Sequence, residues 1–274
     1  MRRLGVAAVW LLGVADAQEL KIALAKPAVL MERLQAGEVS NKQRQATIAG
    51  LFKQVGCDPA MQPVDRWSAN VICELPGETR ATIIVGGHID FIDRGQGIVD
   101  DWSGASMLVS LYQALKSEPR SHTFRFVGFT QEERGLIGSS LFVKKLASDR
   151  LSEIRAFVNL ECLGLSGPKI WIHRSTPALI ENLMRIANAI HVPVEGVNVD
   201  RVGDDDTHPF FNRKVPVISI HSVTQATLPI LHSYRDNMRA IHPDAYYDAY
   251  RLVAFYLAFL DVRLDREGQP ETHP

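Results

Sequence analysis

The 274-residue chain has a formal net charge of −1, with 46% apolar and 22% charged residues, which is ordinary for a soluble globular protein and within the range of one α/β domain. With no basic excess and no acidic tail, the composition argues against a nucleic-acid-binding protein. The three cysteines lack CxxC spacing, so a cysteine zinc site is not expected.

The N-terminus has the pattern of a secretory signal peptide. Two arginines precede an uncharged, mostly apolar run over residues 4–15, and Ala15 and Ala17 place small side chains at the −3 and −1 positions of a cleavage site. We therefore predict a signal peptide over residues 1–17 and a secreted or periplasmic protein. The alternative is a membrane anchor, but the run is too short to cross about 30 Å of hydrocarbon comfortably. No later stretch reaches about 18 uninterrupted apolar residues, so no membrane association is expected after cleavage.

Apolar periodicity predicts strands that alternate with helices along the rest of the chain. The central strands are almost entirely apolar, which is typical of a parallel sheet covered on both faces. The sequence therefore predicts an α/β fold, with a mostly parallel sheet sandwiched between helices. In chain order, the pattern predicts helical spacing at 18–56, strands at 68–75 and 81–87, a helix at 103–115, a strand at 123–129, a helix at 136–146, strands at 155–160 and 169–173, a helix at 177–189, a strand at 215–221 and a helix at 245–260.

No internal repeat, low-complexity segment or linker follows the predicted signal peptide. We expect a single domain over residues 18–264 and a polar tail at 265–274 that frays. Cys57 and Cys73 flank a short polar connection and could face each other on neighbouring strands and form a disulfide in an exported protein, which would leave Cys162 as a free, buried thiol. Alternatively, all three cysteines are small buried hydrophobic residues.

Carboxylates and imidazoles follow the predicted strands, at the edge where open α/β sheets bind ligands. One acidic residue after a strand is usually solvated and one histidine usually packs, so the prediction rests on several strand ends sharing this edge. A mixed carboxylate and imidazole set without thiols suits Zn²⁺, Mn²⁺ or Co²⁺ in a catalytic site. It is large enough for two ions joined by a bridging carboxylate, which would clamp the attacking water and the polarised carbonyl. The residues are His88, Asp90, Asp100, Asp101, Glu132, Glu133, Glu161, His221 and His232.

Four segments carry a family resemblance: GGHID, VDDWSGAS, FVGFTQEERGLIGSS and FVNLECLG. In this order and spacing they resemble the M28 family of zinc metallopeptidases, and in particular its secreted bacterial aminopeptidases. The resemblance extends over residues 68–260. It implies the zinc-exopeptidase fold, a three-layer α/β/α sandwich with a mixed, mostly parallel central sheet. It also implies two zinc ions, with Mn²⁺ or Co²⁺ as substitutes, and peptide substrates with a free N-terminus.

The resemblance implies a role for each matching residue. Asp100 bridges the two ions, and Glu132 is the general base that takes a proton from the bridging water and later gives it to the leaving amine. The other metal ligands are His88, Glu133, Glu161 and His232.

Three further carboxylates are expected to support these ligands. Asp90 orients His88 through the second ring nitrogen, and Asp236 supports the segment that carries the last ligand. Asp101 follows the bridging aspartate across a peptide bond that the resemblance implies is cis.

The sequence departs from the family pattern at several positions. Glu161 stands where the family usually has aspartate, so its carboxylate extends one methylene further. Leu231 replaces a tyrosine that stabilises the oxyanion in some relatives; Tyr234 or His208 could supply that role, and His208 could line the pocket. Trp102, beside the bridging aspartate, either forms a wall of the substrate pocket or packs under the loop.

Three other functions fit the same pattern. Glutaminyl-peptide cyclotransferases, which use a single zinc for acyl transfer, share the HxD motif and the double glutamate. A carboxypeptidase would need a basic pocket, for which Arg94, Arg174, Arg201 and Arg235 are the unplaced candidates. A non-catalytic binding domain would have lost its metals, although every ligand position here has a side chain that can bind one.

Overall fold

The structure, a computed structural model, describes residues 5–11, 18–37, 40–146, 148–200 and 203–266. Its strands are β1 (Gly5–Leu11), β2 (Gln18–Leu24), β3 (Ala60–Pro63), β4 (Ala69–Leu75), β5 (Thr82–His88), β6 (Thr123–Phe129), β7 (Ile154–Glu161), β8 (Lys169–Ile170), β9 (Glu195–Gly196) and β10 (Val217–His221). Its helices are α1 (Pro27–Gln35), α2 (Asn41–Gln54), α3 (Ser103–Leu115), α4 (Ile137–Lys145), α5 (Ser148–Ser152), α6 (Pro177–Ala189), α7 (Thr207–Phe211) and α8 (Pro243–Arg266).

The main sheet has the strand order β3-β4-β6-β5-β7-β10-β8-β9, and β1 and β2 form a separate antiparallel hairpin. The four central strands, β6, β5, β7 and β10, run parallel to one another. Antiparallel pairing occurs towards the edges, where β4 pairs with β6 and with β3, and β8 pairs with β10. The predicted mixed, mostly parallel sheet is confirmed. Its parallel centre places the carboxyl ends of four strands at one edge.

Helices cover both faces of the sheet and complete the three-layer α/β/α sandwich. Along β5, Ile83 and Val85 point into a large core shared with α1, α2, α3, α6 and α8, whereas Ile84 points into a smaller core beneath α4 and α7. This alternation follows from the two-residue period of a strand. In the smaller core, the rings of Phe157 and Phe210 stack with centroids 4.1 Å apart. The strands that end at the predicted site are therefore packed on both sides.

Two parts of the secondary-structure prediction are wrong. Residues 18–24, predicted as the start of a helical segment, form strand β2 because they pair with β1 along their whole length. The predicted strand at 169–173 ends at Ile170, since β8 pairs with β10 over only two residues before a short 3₁₀ turn at Ile172–Arg174. Short apolar runs fit a strand or a helix almost equally well, so pairing partners decide. Elements such as β3, β9, α5 and α7 are too short for a periodic pattern.

The structure describes only part of the predicted signal peptide and of the predicted C-terminal tail. Residues 5–11 of the predicted signal peptide form β1, whereas the predicted cleavage site at 15–17 lies outside the described residues. Cleavage after Ala17 stays a prediction. The predicted tail overlaps helix α8, which extends to Arg266, and residues 267–274 lie outside the described residues. Among the helices that the structure describes, none is both long enough and apolar enough to cross a membrane.

A disulfide joins Cys57 and Cys73, whose Cα atoms lie 6.2 Å apart. Cys73 is in β4, but Cys57 lies in the turn after α2 rather than on a neighbouring strand. Cys162 is a free, buried thiol. The bond therefore fixes the end of α2 to the sheet.

Replacing both Cys57 and Cys73 with serine is expected to lower the free energy of unfolding by about 3 kcal/mol. A cross-link between residues 16 positions apart closes a loop of the size for which a loss of that order in unfolded-state entropy is expected. Urea denaturation of the oxidised protein measures the change. Dithiothreitol should shift the wild type to the same midpoint and leave the double variant unchanged; a wild-type midpoint that does not respond to reductant would contradict the prediction.

Candidate metal centre

The predicted ligands converge at the carboxyl edge of the parallel strands. His88 is the last residue of β5, Glu161 is the last residue of β7, and Glu132 and Glu133 follow the end of β6 by three and four residues. Asp100 returns to this edge after the loop that follows β5. The topology thus brings together residues that are far apart in the sequence.

The ligand atoms form two clusters that share Asp100. In the first, His88 Nε2 lies 3.1 Å from Asp100 Oδ1 and 3.3 Å from Glu161 Oε1. In the second, His232 Nε2 lies 3.1 Å from Asp100 Oδ2 and 3.2 Å from Glu133 Oε2. Each carboxylate oxygen of Asp100 therefore faces a different histidine. A carboxylate that bridges two metal ions needs this arrangement.

The donor set fits divalent metal ions. Four tetrahedral ligands about 2.1 Å from a zinc ion lie roughly 3.4 Å from one another, close to the spacing within each cluster. The potential ligand atoms of His88, Asp100 and Glu133 all lie within 4.8 Å of one another. Among the described residues, Glu133 Oε1 is buried and has no hydrogen-bond partner, so a lone pair there is available for a cation.

The electrostatics of the clusters also favour cations. Burial disfavours the charged form of His88, but the neighbouring glutamates outweigh burial and raise its pKa well above the usual value. Hydrogen bonds with Asp100 and Glu133 raise the pKa of His232 to about 10. Burial opposes ionisation of Asp100, yet its hydrogen bonds with the two histidines lower its pKa. The carboxylates thus hold protons on both imidazoles, and metal ions would release these protons because histidine binds metal in its neutral form.

Asp101 is buried next to the clusters and joins three backbone segments through hydrogen bonds. Its Oδ2 accepts a hydrogen bond from the His88 amide at 3.1 Å, and its Oδ1 accepts bonds from the amides of Gly104 and Cys162, both at 3.0 Å. One carboxylate therefore ties together the end of β5, the start of α3 and the end of β7. The peptide bond between Asp100 and Asp101 is cis, as the resemblance implies.

Asp236 and Asp90 support the ligands through backbone amides. Asp236 accepts hydrogen bonds from the amides of Val99 at 2.7 Å and Asp100 at 3.2 Å, which fixes the bridging residue directly as well as the segment after His232. Asp90 lies against the His88 ring, but its carbonyl oxygen is nearer to the ring than its carboxylate is. His88 Nδ1 contacts the Asp90 carbonyl oxygen at 3.0 Å, whereas the carboxylate Oδ1 is 3.8 Å away.

The Asp90 carboxylate instead holds the two glutamates that follow β6. It accepts hydrogen bonds from the amides of Glu132 at 3.0 Å and Glu133 at 3.3 Å. The carboxylate turns towards these amides because two N–H donors converge on it, and the His88 ring is already satisfied by a carbonyl. Asp90 thereby fixes the loop that presents the predicted base.

Comparison with known proteins decides the family. The model of peptidase family M28 matches residues 70–257, well over half of the chain. The chain belongs to peptidase family M28. Every candidate ligand described above lies within the matched region.

Relatives and solved structures resemble the M28 chain at low sequence identity. Leupeptin-inactivating enzyme 1 from Streptomyces exfoliatus is 27% identical over 157 residues, which cover 56% of this chain and 35% of that protein. The structure of BSAP, a zinc aminopeptidase from Bacillus subtilis, matches with a TM-score of 0.64 and 23% identity over 69% of this chain and 49% of BSAP. An Acidobacteriales bacterium glutaminyl cyclase matches with a TM-score of 0.70 and 19% identity over 93% of this chain and 100% of the cyclase. The chain thus spans about a third of the first of these proteins and about half of the second.

Glu132 of the M28 chain lies beside the first cluster. Its Oε2 is 3.9 Å from His88 Nε2, and its side chain is 12% exposed. Burial raises the pKa of Glu132 to about 10 together with the nearby carboxylates of Glu161, Asp206 and Asp100, against the opposing effect of His88. This pKa falls when cations neutralise the surrounding carboxylates.

A cavity of about 240 Å³ opens next to both clusters in the M28 domain. His221 forms part of its wall and is fixed by a hydrogen bond between Nε2 and the Val197 carbonyl at 3.0 Å and by the Val223 amide, which donates to Nδ1 at 3.1 Å. Burial lowers the pKa of His221 to about 4, so this imidazole is neutral at physiological pH. The cavity is lined by Asp100, Glu132, Glu133, Gly135, Leu136, Glu161, Cys162, Trp171, Val199, Gly203, Asp204, Asp205, Ser219, His221, Val223, Leu231 and His232.

Three predicted pocket residues do not line this cavity. Trp102 is fully buried and donates from Nε1 to the Arg33 carbonyl at 3.1 Å, so it packs under the loop. Tyr234 is 84% exposed outside the cavity. His208 turns towards Asp204, and its Nδ1 contacts the Asp204 carboxylate. The geometry therefore assigns neither Tyr234 nor His208 to the oxyanion.

Several residues that line the cavity were given no role in the site by the sequence prediction. Cys162 Sγ lies 3.4 Å from Glu161 Oε1. Its position directly after a predicted ligand could have identified it as a residue of the site. Asp205 accepts hydrogen bonds from Ser219 at 2.6 Å and Asn159 at 3.3 Å. The run of acidic residues before α7 could have identified it as a residue of the site. Trp171 carries no motif that would have identified it.

Gly104→Ala should destabilise the protein and weaken zinc binding. A Cβ at this position would clash with Asp101 Oδ2 and lie 2.5 Å from the Leu160 carbonyl oxygen. The Asp101 carboxylate would therefore be displaced. We expect a loss of about 1–3 kcal/mol in the free energy of unfolding, measured by urea denaturation alongside zinc content. Gly50→Ala is the matched control: apart from its chain neighbours and the backbone of its own helix, no atom lies within 4 Å of a Cβ at this position, so alanine in α2 should stabilise by about 0.5–1 kcal/mol. Equal effects of the two substitutions would contradict the role of Asp101.

Proposed function

We propose that this M28 chain is a metal-dependent aminopeptidase that hydrolyses the N-terminal peptide bond of peptides, with Glu132 as the general base. The observation that carries this proposal is the carboxylate of Asp100, shared between two histidine–carboxylate clusters with Glu132 beside them. Relatives named as aminopeptidases support it. BSAP is described as a zinc aminopeptidase, which supports zinc as the metal.

We propose two zinc ions, for which Mn²⁺ or Co²⁺ could substitute. His88 and Glu161 would hold one ion, Glu133 and His232 the other, and Asp100 both. The longer Glu161 side chain still reaches, since its Oε1 lies 3.3 Å from His88 Nε2. When bound, such ions polarise the scissile carbonyl and make water acidic enough to ionise near neutral pH.

Glu132 performs the proton transfers in this proposal. Its ionised carboxylate takes a proton from the attacking water and then delivers it to the nitrogen of the leaving amine. The Asp90 carboxylate holds the Glu132 amide at 3.0 Å, so the base keeps its position through both transfers. Desolvation in the cavity strengthens each of these interactions.

The cavity favours substrates with a free N-terminus. Asp204 and Asp205 add two carboxylates to the cavity lining besides the proposed base and metal ligands, and a carboxylate suits an ammonium group. Among the described residues, no arginine or lysine lines the cavity. Arg174 is paired with Asp204 at 2.6 Å, and the candidate Arg201 lies outside the described residues. A carboxypeptidase would need such a cation for the substrate carboxylate, so the aminopeptidase is the better proposal.

We also propose that the leader over residues 1–17 directs export and that residues 18–264 form the mature domain. Ile22 and Leu24 are buried, and the amide of Ala25 donates to the Tyr250 hydroxyl at 2.9 Å. The chain is therefore part of the packed domain soon after the proposed cleavage point. Intact mass of the exported protein locates the new N-terminus.

Glu132→Gln should lower kcat by about 10²–10⁴-fold, because it removes the base and keeps the size of the side chain. The assay is release of p-nitroaniline from unblocked aminoacyl-p-nitroanilides, with zinc added and then chelated. Zinc content should stay at the wild-type level in Glu132→Gln and fall in the neighbouring control Glu133→Gln. Wild-type turnover by Glu132→Gln would contradict the assignment of the base. Failure of wild-type protein to bind zinc would point instead to a non-catalytic domain.

Glutaminyl-peptide cyclotransfer is the second candidate. The Acidobacteriales glutaminyl cyclase is matched over its whole length, whereas BSAP is matched over about half. The cluster of Asp100, Glu133 and His232 would suffice for a single zinc. Loss of ammonia from a peptide with N-terminal glutamine, without turnover of any aminoacyl-p-nitroanilide, would favour the cyclase and overturn the aminopeptidase.

A further inference from the structure

Helix α2 holds the loop between the first ligand and the bridging aspartate, although α2 precedes the region matched by the family. We call residues 89–99 the ligand loop. Arg44 of α2 is 0% exposed, and its Nη2 donates to the carbonyl oxygens of Gln96 and Gly97, both at 2.6 Å. Its Nη1 lies 3.5 Å from the carbonyl oxygen of Ile89. One guanidinium thus joins the two ends of the ligand loop.

Aromatic stacking and a second α2 residue strengthen this contact. The guanidinium carbon of Arg44 lies 4.2 Å from the ring centroid of Phe91 and 5.4 Å from that of Trp102. Asn41 accepts a hydrogen bond from the Phe91 amide at 3.0 Å and donates to its carbonyl oxygen at 3.3 Å. A planar, five-donor cation can stack and reach several carbonyls together, which a lysine ammonium cannot do.

A hydrogen-bonded path leads from Arg44 to the bridging ligand. The amide of Gln96, whose carbonyl binds Arg44, donates to the Asp236 carbonyl oxygen at 2.8 Å. The carboxylate of Asp236 accepts bonds from the amides of Val99 at 2.7 Å and Asp100 at 3.2 Å. Movement of the ligand loop would therefore displace Asp100 from its position between the two histidines.

Arg44 also places a buried positive charge near this carboxylate-rich centre. Burial lowers its pKa to about 10, against the opposing effect of the carboxylates of Asp236, Asp101, Asp100 and Asp90. The guanidinium is therefore still charged at neutral pH. Burial of a charge is unfavourable unless it is hydrogen-bonded, and the carbonyls of the ligand loop meet this need.

We propose that Arg44 is a positioning residue of the metal centre: it holds the ligand loop so that Asp100 faces both histidines, and it thereby sets the affinity for metal without touching metal or substrate. This inference rests on the proposed function in that the clusters bind metal. It makes the segment before the family-matched region part of the metal centre.

Zinc affinity and cobalt absorption of Arg44→Met test this role. We expect zinc to bind about 10–100-fold more weakly in competition with a chromophoric chelator, the range typical for residues that orient metal ligands. The visible spectrum of the Co²⁺-loaded variant should also differ from that of wild type, because the ligand geometry changes. Arg44→Lys should restore only part of the affinity, since it keeps the charge and loses the planar fork.

Arg33→Met is the matched control. Arg33 is also a buried arginine of the N-terminal helices, but its guanidinium donates to Ser110 at 2.8 Å and to Gln113 at 2.5 Å on α3 rather than to the ligand loop. We expect reduced thermal stability with wild-type zinc affinity and cobalt spectrum. Equal loss of zinc affinity in Arg33→Met and Arg44→Met, or wild-type affinity in Arg44→Met, would overturn the proposal.

Asn41→Ala keeps the test decisive if Arg44→Met does not fold. It removes the two bonds to Phe91 and should weaken zinc binding severalfold with the protein folded by circular dichroism; unchanged affinity in both Asn41→Ala and Arg44→Lys would count against the proposal. The zinc readout does not depend on peptide hydrolysis. A wild-type protein that binds zinc but releases no amino acid would refute the aminopeptidase, and the Arg44 variants would still decide this inference.

Discussion

Carboxylates crowded into a buried site repel one another unless cations or N–H donors surround them, and the whole carboxyl edge of the sheet is built around this constraint. The supporting carboxylates are each held by backbone amides: Asp101 by three, Asp236 by two and Asp90 by two. Asp100 instead lies between two histidines. The carboxylates that are hydrogen-bonded to backbone amides thus support the ligands. The oxygens of the ligand carboxylates face inward, where the charge of metal ions would offset their repulsion.

Precision at the centre comes from rigid elements rather than from loops alone. His88 and Glu161 occupy the last positions of two adjacent central strands, and Asp101 ties both strand ends to the start of α3. Sites built on packed strands keep their geometry better than sites on free loops. Part of the cavity wall comes from later segments, which include Trp171, Val199 and Val223.

The segment before the family-matched region connects this centre to the edge of the sheet. The disulfide fixes the end of α2 to β4, and Arg44 near the start of α2 holds the loop after β5. Residues 70–257 contain every candidate ligand, yet part of the structure that positions them lies earlier. A family-matched region identifies the chemistry, whereas the support of its ligands depends on the whole packed domain.

The amino-acid sequence by itself determined the fold class and the set of candidate ligand residues, because apolar periodicity reports which strands are buried and parallel strands place their ends at one edge. Strand ends picked out nine acidic residues and histidines at this edge, His232 included, and the family resemblance separated the candidate ligands from the others. The tertiary structure alone decided that the Asp90 carboxylate holds two amides, that Trp102 packs away from the cavity and that Arg44 reaches the ligand loop. The reason is physical: local pattern records the period and burial of a side chain, but its hydrogen-bond partners depend on which distant backbone groups the packed fold brings within about 3 Å.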